Sequence, residues 1–153
     1  MGRITPCLFC EIANQRVSAA IVYEAEHLLA FLDVCPIRKG HVQIIPRQHF
    51  GFFEELPAKL ASEIVAAGQL IARAQKSLYQ VERAAFLFSG GDIAHVHAHV
   101  VPMHEKTDIT SRQYIAEKSL TFVPAPRATS TELMTVADEL RSAMSQLVEN
   151  TDT

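Results

Sequence analysis

The chain has 153 residues, of which 48% are hydrophobic, and its formal net charge is -3 with histidine neutral. This length and apolar content predict a single domain over residues 1–153 with one core. The lack of a basic excess argues against nucleic-acid binding through a broad cationic surface. No apolar run approaches the roughly 18 residues of a membrane span, and the first residues lack a secretory signal pattern. An odd cysteine count, 3 in all, favours a reducing compartment, so we expect a cytoplasmic protein.

In chain order, the first predicted element is a short helical turn within residues 7–16. Residues 21–33 predict two strands, because Val, Ile, Leu, Phe and Tyr dominate them. Residues 41–45 predict a third strand that ends at Pro46. The clearest helix is predicted over 57–79, where apolar residues recur at the helical period along one stripe.

The second half continues the alternation of strands and helices. Residues 84–89 predict a buried strand, and residues 95–101 predict an alternating strand that Pro102 ends. A polar stretch then predicts loop with one helical turn near 113–117. A capping-box spacing at Thr129 predicts a final helix over about 130–148. Successive strands with helices in separate blocks predict an α+β fold, a mostly antiparallel five-stranded sheet with one long helix and a C-terminal helix.

His95, His97 and His99 are spaced by two. On a strand such side chains share one face, roughly 6–7 Å apart, while the residues between them face the core. The residues alone leave three interpretations open. The histidines form a solvated face, they chelate a metal such as zinc, or they supply a neutral imidazole nucleophile for chemistry at phosphorus.

Cys7 and Cys10 have the Cys-x-x-Cys spacing of metal ligands. The same spacing is found in redox dithiols, although the strand–CxxC–helix setting of a thioredoxin-like unit is absent here. A closed zinc site needs two further ligands, and histidine is their natural source. Cys35 stands alone and is expected to be a small buried residue, whereas His27 and His104 are expected to be exposed.

The sequence His-Val-His-Ala-His-Val-Val at 95–101 resembles the signature of the histidine triad (HIT) superfamily. Further matching segments extend the resemblance over residues 7–102, namely Cys7–Ile12, Val22–Glu24, Leu29–Asp33, Gly40–His41 and Ile44–His49. Residues 103–153 form a C-terminal extension without a resemblance. The resemblance implies a HIT-like fold, usually homodimeric, and hydrolysis or transfer at the α-phosphorus of nucleoside phosphoramidates or dinucleoside polyphosphates.

The resemblance also implies roles for individual residues. His97 attacks phosphorus and forms a nucleotidyl-histidine that water resolves, while His99 and His41 contact phosphate oxygens or handle protons. Asp33 accepts the ribose hydroxyls of a purine nucleotide or nucleotide conjugate. Phe31 and Ile12 lie around the base.

One segment departs from the resembled pattern. Where nucleotide-binding members usually have Gly-Gln-Ser or Gly-Gln-Thr, this chain has Gly90-Gly91-Asp92. We expect Asp92 to orient an imidazole by accepting its N–H. Ser89 is expected to compensate for an asparagine that usually stands upstream.

For the metal, bacterial members of the resembled family complete the Cys7 and Cys10 pair with two histidines. These correspond to His49 and His95, so the resemblance assigns His95 to a structural zinc ion and leaves His97 and His99 for phosphate. Two alternatives remain open. One is a zinc-dependent hydrolase that uses metal-bound water, and the other is a non-catalytic nucleotide-binding or signalling module.

Overall fold

The computed structural model describes residues 6–89, 93–109 and 125–150. Its regular elements follow the chain in this order: α1 (Leu8–Ala13), β1 (Ile21–Glu24), β2 (Leu28–Leu32), β3 (Val42–Pro46), a short 3₁₀ turn (Phe53–Glu55), α2 (Ala58–Tyr79), β4 (Arg83–Ser89), β5 (His97–Met103) and α3 (Ser130–Glu149). Among these described residues, no helix combines the length and apolarity that crossing a bilayer requires.

The strands form one five-stranded sheet in the order β1-β2-β3-β5-β4, and every pairing is antiparallel. The predicted α+β fold with a five-stranded antiparallel sheet is therefore confirmed. Strand β5 lies between β3 and β4, so its side chains reach the middle of the sheet. Residues on β5 are therefore held in place by backbone hydrogen bonds to strands on both sides.

Helices α2 and α3 cover one face of the sheet and form the main core with it. The predicted stripe of α2 is buried at Ile64, Ala67, Ile71 and Ala74. Helix α3 begins with the predicted capping box, in which the Glu132 N–H and carboxylate both bond Thr129. The opposite face carries a smaller apolar cluster to which α1 contributes, with members Phe9, Ile12, Leu29, Phe31 and Ile45.

Several predicted boundaries were shifted. Helix α2 begins at Ala58 rather than at 57, β3 includes Pro46, and Pro102 lies inside β5. Strand β3 pairs with β5 only as far as Val100, so Pro102 is bordered by β4 alone, a position that tolerates proline. The helical turn predicted near 113–117 lies outside the described residues.

The prediction that β5 begins at His95 was wrong. The chain makes a tight turn there, because the His95 N–H donates to the Ile93 carbonyl and the Val96 N–H donates to the Phe50 carbonyl. Regular pairing starts only at His97, opposite Ser89. The first histidine of the three is therefore oriented by a turn and not by the strand, which frees its side chain from the alternation.

The loop before β3 is fixed by Gly40, which precedes His41. Gly40 has a φ of 86°, and its carbonyl accepts a 2.8 Å hydrogen bond from the buried Gln75 amide of α2. A Cβ at this position would lie 2.5 Å from the Tyr79 ring. A positive φ and the absence of space both require glycine here.

We expect Gly40→Ala to lower the free energy of unfolding by about 2 kcal/mol or more, since a left-handed residue with a Cβ costs about 1–2 kcal/mol before any steric clash. Urea unfolding followed by circular dichroism measures the change. Gly51→Ala is the matched control, because its Cβ would meet only the flexible Glu55 carboxylate, at 3.3 Å. Equal stabilities for the two variants would contradict the prediction.

Candidate active site and metal centre

Strand β5 presents His97 and His99 on the sheet face opposite α2 and α3. The intervening Ala98 and the following Val100 are fully buried in the main core. Two of the three predicted histidines thus share a strand face as the alternation required. Their imidazole centroids are 5.0 Å apart, which brings both within reach of one ligand group.

A chain of hydrogen bonds enters this pair from the loop before β3. The Ile37 N–H donates to His41 Nδ1 at 3.2 Å, so the proton of neutral His41 must be on Nε2. His41 Nε2 lies 2.8 Å from His99 Nδ1 and donates to it. The proton of neutral His99 is then on Nε2.

The chain continues through Ser89 at the end of β4. His99 Nε2 donates to Ser89 Oγ at 2.8 Å, and the Ser89 hydroxyl faces His97 Nε2 at 3.3 Å. At its far side, His97 Nδ1 lies 2.8 Å from the His95 carbonyl, which only accepts. His97 therefore carries its proton on Nδ1, and its Nε2 presents a lone pair.

Burial keeps His41 and His99 neutral in this chain of hydrogen bonds, which we call the histidine relay. Desolvation lowers the pKa of His41, against the opposing charge of Asp33. Desolvation, with the neighbouring His41 and His97, lowers the pKa of His99 to about 4. Neutral imidazoles near pH 7 donate from one nitrogen and accept at the other, as this directional chain requires.

Asp33 lies at the end of β2, and both of its carboxylate oxygens are held. Oδ1 accepts the Cys35 N–H at 2.7 Å, and Oδ2 accepts Gln43 Nε2 at 2.5 Å. Oδ2 also lies 3.7 Å from His41 Nδ1. Asp33, which is predicted to bind the ribose, therefore lies next to the histidine relay.

The smaller apolar cluster borders the histidines. It buries the predicted base contacts Ile12 and Phe31. Phe9 joins them to the site, because its ring contacts Phe31 at 5.5 Å and His97 at 5.2 Å between centroids. Phe9 was not singled out from the sequence, where it is one of two apolar residues between Cys7 and Cys10. Only the packing of α1 on the sheet reveals its position.

A second cluster joins Cys7, Cys10, His49 and His95, whose ligand atoms all lie within 4.8 Å of one another. His95 Nδ1 lies 3.4 Å from Cys7 Sγ and 3.5 Å from Cys10 Sγ, and His49 Nδ1 lies 3.3 Å from Cys10 Sγ. Tetrahedral zinc with bond lengths of about 2.0–2.3 Å separates its ligands by roughly 3.6 Å. The four donors therefore fit zinc in both chemistry and spacing.

His95 is oriented toward the thiols by its other ring nitrogen. Nε2 donates to the Pro46 carbonyl at 3.0 Å, and the side chain is fully buried. A backbone acceptor of this kind fixes the tautomer in which Nδ1 is the metal-binding atom. The zinc interpretation drawn from the cysteine spacing therefore agrees with the geometry.

The other residues considered from the sequence are placed as follows. Cys35 is exposed, so the expectation of a buried residue was wrong, because it lies in the turn that the Asp33 carboxylate caps. His27 and His104 are exposed as predicted. Asp92 lies outside the described residues, and its role stays a prediction. Gln43 was missed because its neighbours on the adjacent strands depend on register, which the sequence does not give.

The fold and this site define a histidine triad protein. The HIT domain family matches residues 14–106, and the chain belongs to that family. Helix α3 lies beyond the matched range.

Individual relatives agree with this assignment. The chain is 36% identical over 107 residues to the protein called Protein hit of Bacillus subtilis, covering 67% of this chain and 74% of that protein. It is 27% identical over 101 residues to adenosine 5'-monophosphoramidase HNT1 of Saccharomyces cerevisiae, covering 65% and 64%. A crystal structure of a Zn-bound histidine triad family protein from Mycobacterium smegmatis is similar at a TM-score of 0.74 and 26% identity, covering 95% and 97%.

We expect Cys10→Ser to lower the zinc content of purified protein well below one ion per chain, because a hydroxyl is a much poorer zinc ligand than a thiolate. Thermal stability should fall with it, since metal binding contributes to folding. Cys35→Ser is the matched control, being an exposed cysteine outside the cluster. Mass-spectrometric metal analysis decides the point, and unchanged zinc in the Cys10 variant would contradict it.

Proposed function

We propose that this protein is a nucleotide hydrolase or transferase acting at the α-phosphorus of nucleoside phosphoramidates or dinucleoside polyphosphates, with His97 as nucleophile. The observation that carries the proposal is the pair of hydrogen bonds made by the two ring nitrogens of His97. Its Nδ1–H is donated to the His95 carbonyl, and among the described residues its Nε2 faces the Ser89 hydroxyl. A fixed ring nitrogen that presents its lone pair toward the site is what attack on phosphorus requires.

In the proposed reaction, His97 Nε2 forms a bond to the α-phosphorus while the bond from phosphorus to the leaving amine or phosphate breaks. The leaving group takes a proton from the Ser89 hydroxyl, which His99 Nε2 orients and which recovers its proton from solvent. Water then attacks the nucleotidyl-histidine, the bond from phosphorus to His97 breaks, and one proton returns to solvent. The His95 carbonyl stabilises the positive charge that the His97 ring carries between the two steps.

The substrate class follows from the residues around the relay. Asp33 would accept the ribose hydroxyls, and the apolar wall of Ile12, Phe31 and Phe9 would contact a purine base. The similarity to a yeast adenosine 5'-monophosphoramidase supports a nucleoside phosphoramidate in particular. We retain the proposal that Asp92 accepts an imidazole N–H.

We propose a structural role for zinc at Cys7, Cys10, His49 and His95. Four protein ligands fill a tetrahedral ion and leave no position for water. Bound there, zinc would act as a cross-link between α1, the segment after β3 and the turn before β5. This closed donor set favours nucleophilic catalysis by His97 over a zinc-dependent hydrolase.

We also propose a cytoplasmic homodimer that does not bind nucleic acid. Strand β4 is an edge strand with β5 as its one neighbour among the described strands. The adjoining surface is apolar, since Phe86 and Val65 are 37% and 42% exposed. A second copy that adds its own β4 and α2 would cover these groups, which sedimentation equilibrium tests.

We expect His97→Ala to reduce turnover of adenosine 5'-phosphoramidate by at least about 10³-fold, because no other described group is placed to attack phosphorus. Binding of AMP should persist. The exposed His104→Ala is the matched control and should keep normal activity. Trapping an acid-labile adenylyl-histidine on wild-type protein would support the same step.

Two results would contradict this proposal and favour an alternative. Near-normal activity of His97→Ala, with activity lost reversibly on metal removal, would favour a zinc-dependent hydrolase. Tight AMP binding without turnover of any phosphoramidate would favour a non-catalytic nucleotide-binding or signalling module.

We expect Ser89→Ala to lower kcat by about 10–100-fold with a smaller change in KM, because it removes the hydroxyl that links the relay to His97. Ser89→Thr keeps a hydroxyl and should recover much of the activity. Steady-state kinetics on a phosphoramidate with a poor leaving group gives the clearest comparison. Equal activity of the alanine and threonine variants would exclude a relay through this residue.

A further inference from the structure

Gln43 is a polar residue in the middle of an apolar strand, and it lies on the same sheet face as the histidines. In the register of the sheet, it stands directly opposite Phe31 on β2 and His99 on β5. Its neighbours on β3, Val42 and Ile44, are fully buried in the main core. Gln43 therefore lies on the floor of the site, between the proposed base wall and the histidine relay.

The partner of Gln43 determines how its amide is oriented. The atom 2.5 Å from Asp33 Oδ2 must be the donor Nε2, because a carboxylate only accepts. The other end of the amide, Oε1, is buried and has no hydrogen-bond partner among the described residues. A buried unpaired oxygen costs free energy that an apolar side chain of the same length would not incur. Packing alone does not explain glutamine here, whereas its bond to Asp33 does.

That bond fixes the rotation of the Asp33 carboxylate. Oδ1 is held by the Cys35 N–H, and Oδ2 by Gln43. The nearby His41 Nδ1 cannot replace Gln43, because it accepts the Ile37 N–H and has no proton to donate. Without Gln43, only the Cys35 N–H would hold the carboxylate, and one hydrogen bond restricts its broad terminal torsion less than two. With it, each oxygen keeps an unused lone pair in a fixed direction.

We propose that Gln43 is a positioning residue that holds the Asp33 carboxylate to accept both hydroxyls of a ribose cis-diol, and so makes the site selective for ribonucleotides. This inference rests on the proposed function, since it presumes that Asp33 binds the sugar. It adds the residue that would turn a carboxylate into a selective diol receptor. A carboxylate free to rotate still attracts a single hydroxyl, but it loses the two-point contact that distinguishes a diol.

The test measures binding of AMP, 2'-deoxy-AMP and 2',3'-dideoxy-AMP by calorimetry on full-length protein. The proteins compared are wild type, Gln43→Leu, Asp33→Asn and the double variant. We expect Gln43→Leu to weaken AMP binding about tenfold, the size expected for one hydrogen bond to a charged group. Binding of the dideoxy nucleotide should change less than twofold. In the Asp33→Asn background, Gln43→Leu should have no further effect on AMP.

Two additional variants keep the test decisive. Gln43→Met is also apolar but more adaptable in packing, and it replaces leucine if the leucine variant does not fold by circular dichroism. Gln43→Glu, measured at alkaline pH where both carboxylates are ionised, has no proton to donate to Asp33 and places two like charges together, so it should weaken AMP binding at least as much. Wild-type affinity of the glutamate variant would overturn the proposal.

Equal weakening for all three nucleotides, or additive losses in the double variant, would overturn the proposal and indicate a packing role for Gln43. Because AMP is the proposed product, binding is measured without turnover. Diol-selective binding by a protein that hydrolyses no phosphoramidate would refute the proposed reaction and leave the role of Gln43 intact. Catalysis without diol selectivity would support the proposed reaction and refute the role of Gln43.

Discussion

The hydrogen bond from His97 Nδ1 to the His95 carbonyl is the interaction on which the rest of the site depends. In this bond, the backbone carbonyl of His95 fixes the tautomer of the His97 ring. The same His95 directs its ring Nδ1 to the two thiols and donates from Nε2 to the Pro46 carbonyl. One residue thus connects the candidate metal centre to the candidate nucleophile, through its side chain on one side and its carbonyl on the other. The turn that removes His95 from β5 makes both connections possible.

The cluster of Cys7, Cys10, His49 and His95 also adjoins the apolar wall of Phe9 and Phe31. Cys7 and Cys10 flank Phe9 on the first turns of α1, and Phe9 contacts both His97 and Phe31. Helix α1 has only six residues, and isolated helices of that length are not stable in water. Its position therefore depends on tertiary contacts and on the cluster of sulfur and nitrogen ligands. A metal bound there would order the base wall and the nucleophile together, at a distance from the reacting atoms.

Much of the fold was predictable because its signals are local. The apolar stripe of α2, the capping box of α3 and the strand composition each depend on residues close in sequence. The resemblance brought His97 and Asp33 forward as site residues, and their roles stay predictions. What the sequence could not supply were contacts between distant segments. The strict alternation at 95–101 gives no sign of the turn at His95, since the Phe50 carbonyl and the thiols that stabilise it come from elsewhere in the chain. Gln43 and Phe9 were missed for the same reason, because strand register and helix docking decide what they touch.

The direction of the relay is set from its two ends, and both ends are backbone groups in irregular structure. At one end the Ile37 N–H requires His41 Nδ1 to accept a hydrogen bond, and at the other end the His95 carbonyl requires His97 Nδ1 to donate one. Every proton between them follows, because a neutral imidazole that accepts at one nitrogen must donate from the other. Each end is in turn held by its own turn, one closed at Gly40 and one attached to the metal ligands. Burial lowers the pKa of His41 and of His99 and keeps both rings neutral, so each donates from one nitrogen and accepts at the other. The tautomer of His97 is therefore decided by two short loops and their anchors, while the strand supplies the spacing of His97 and His99.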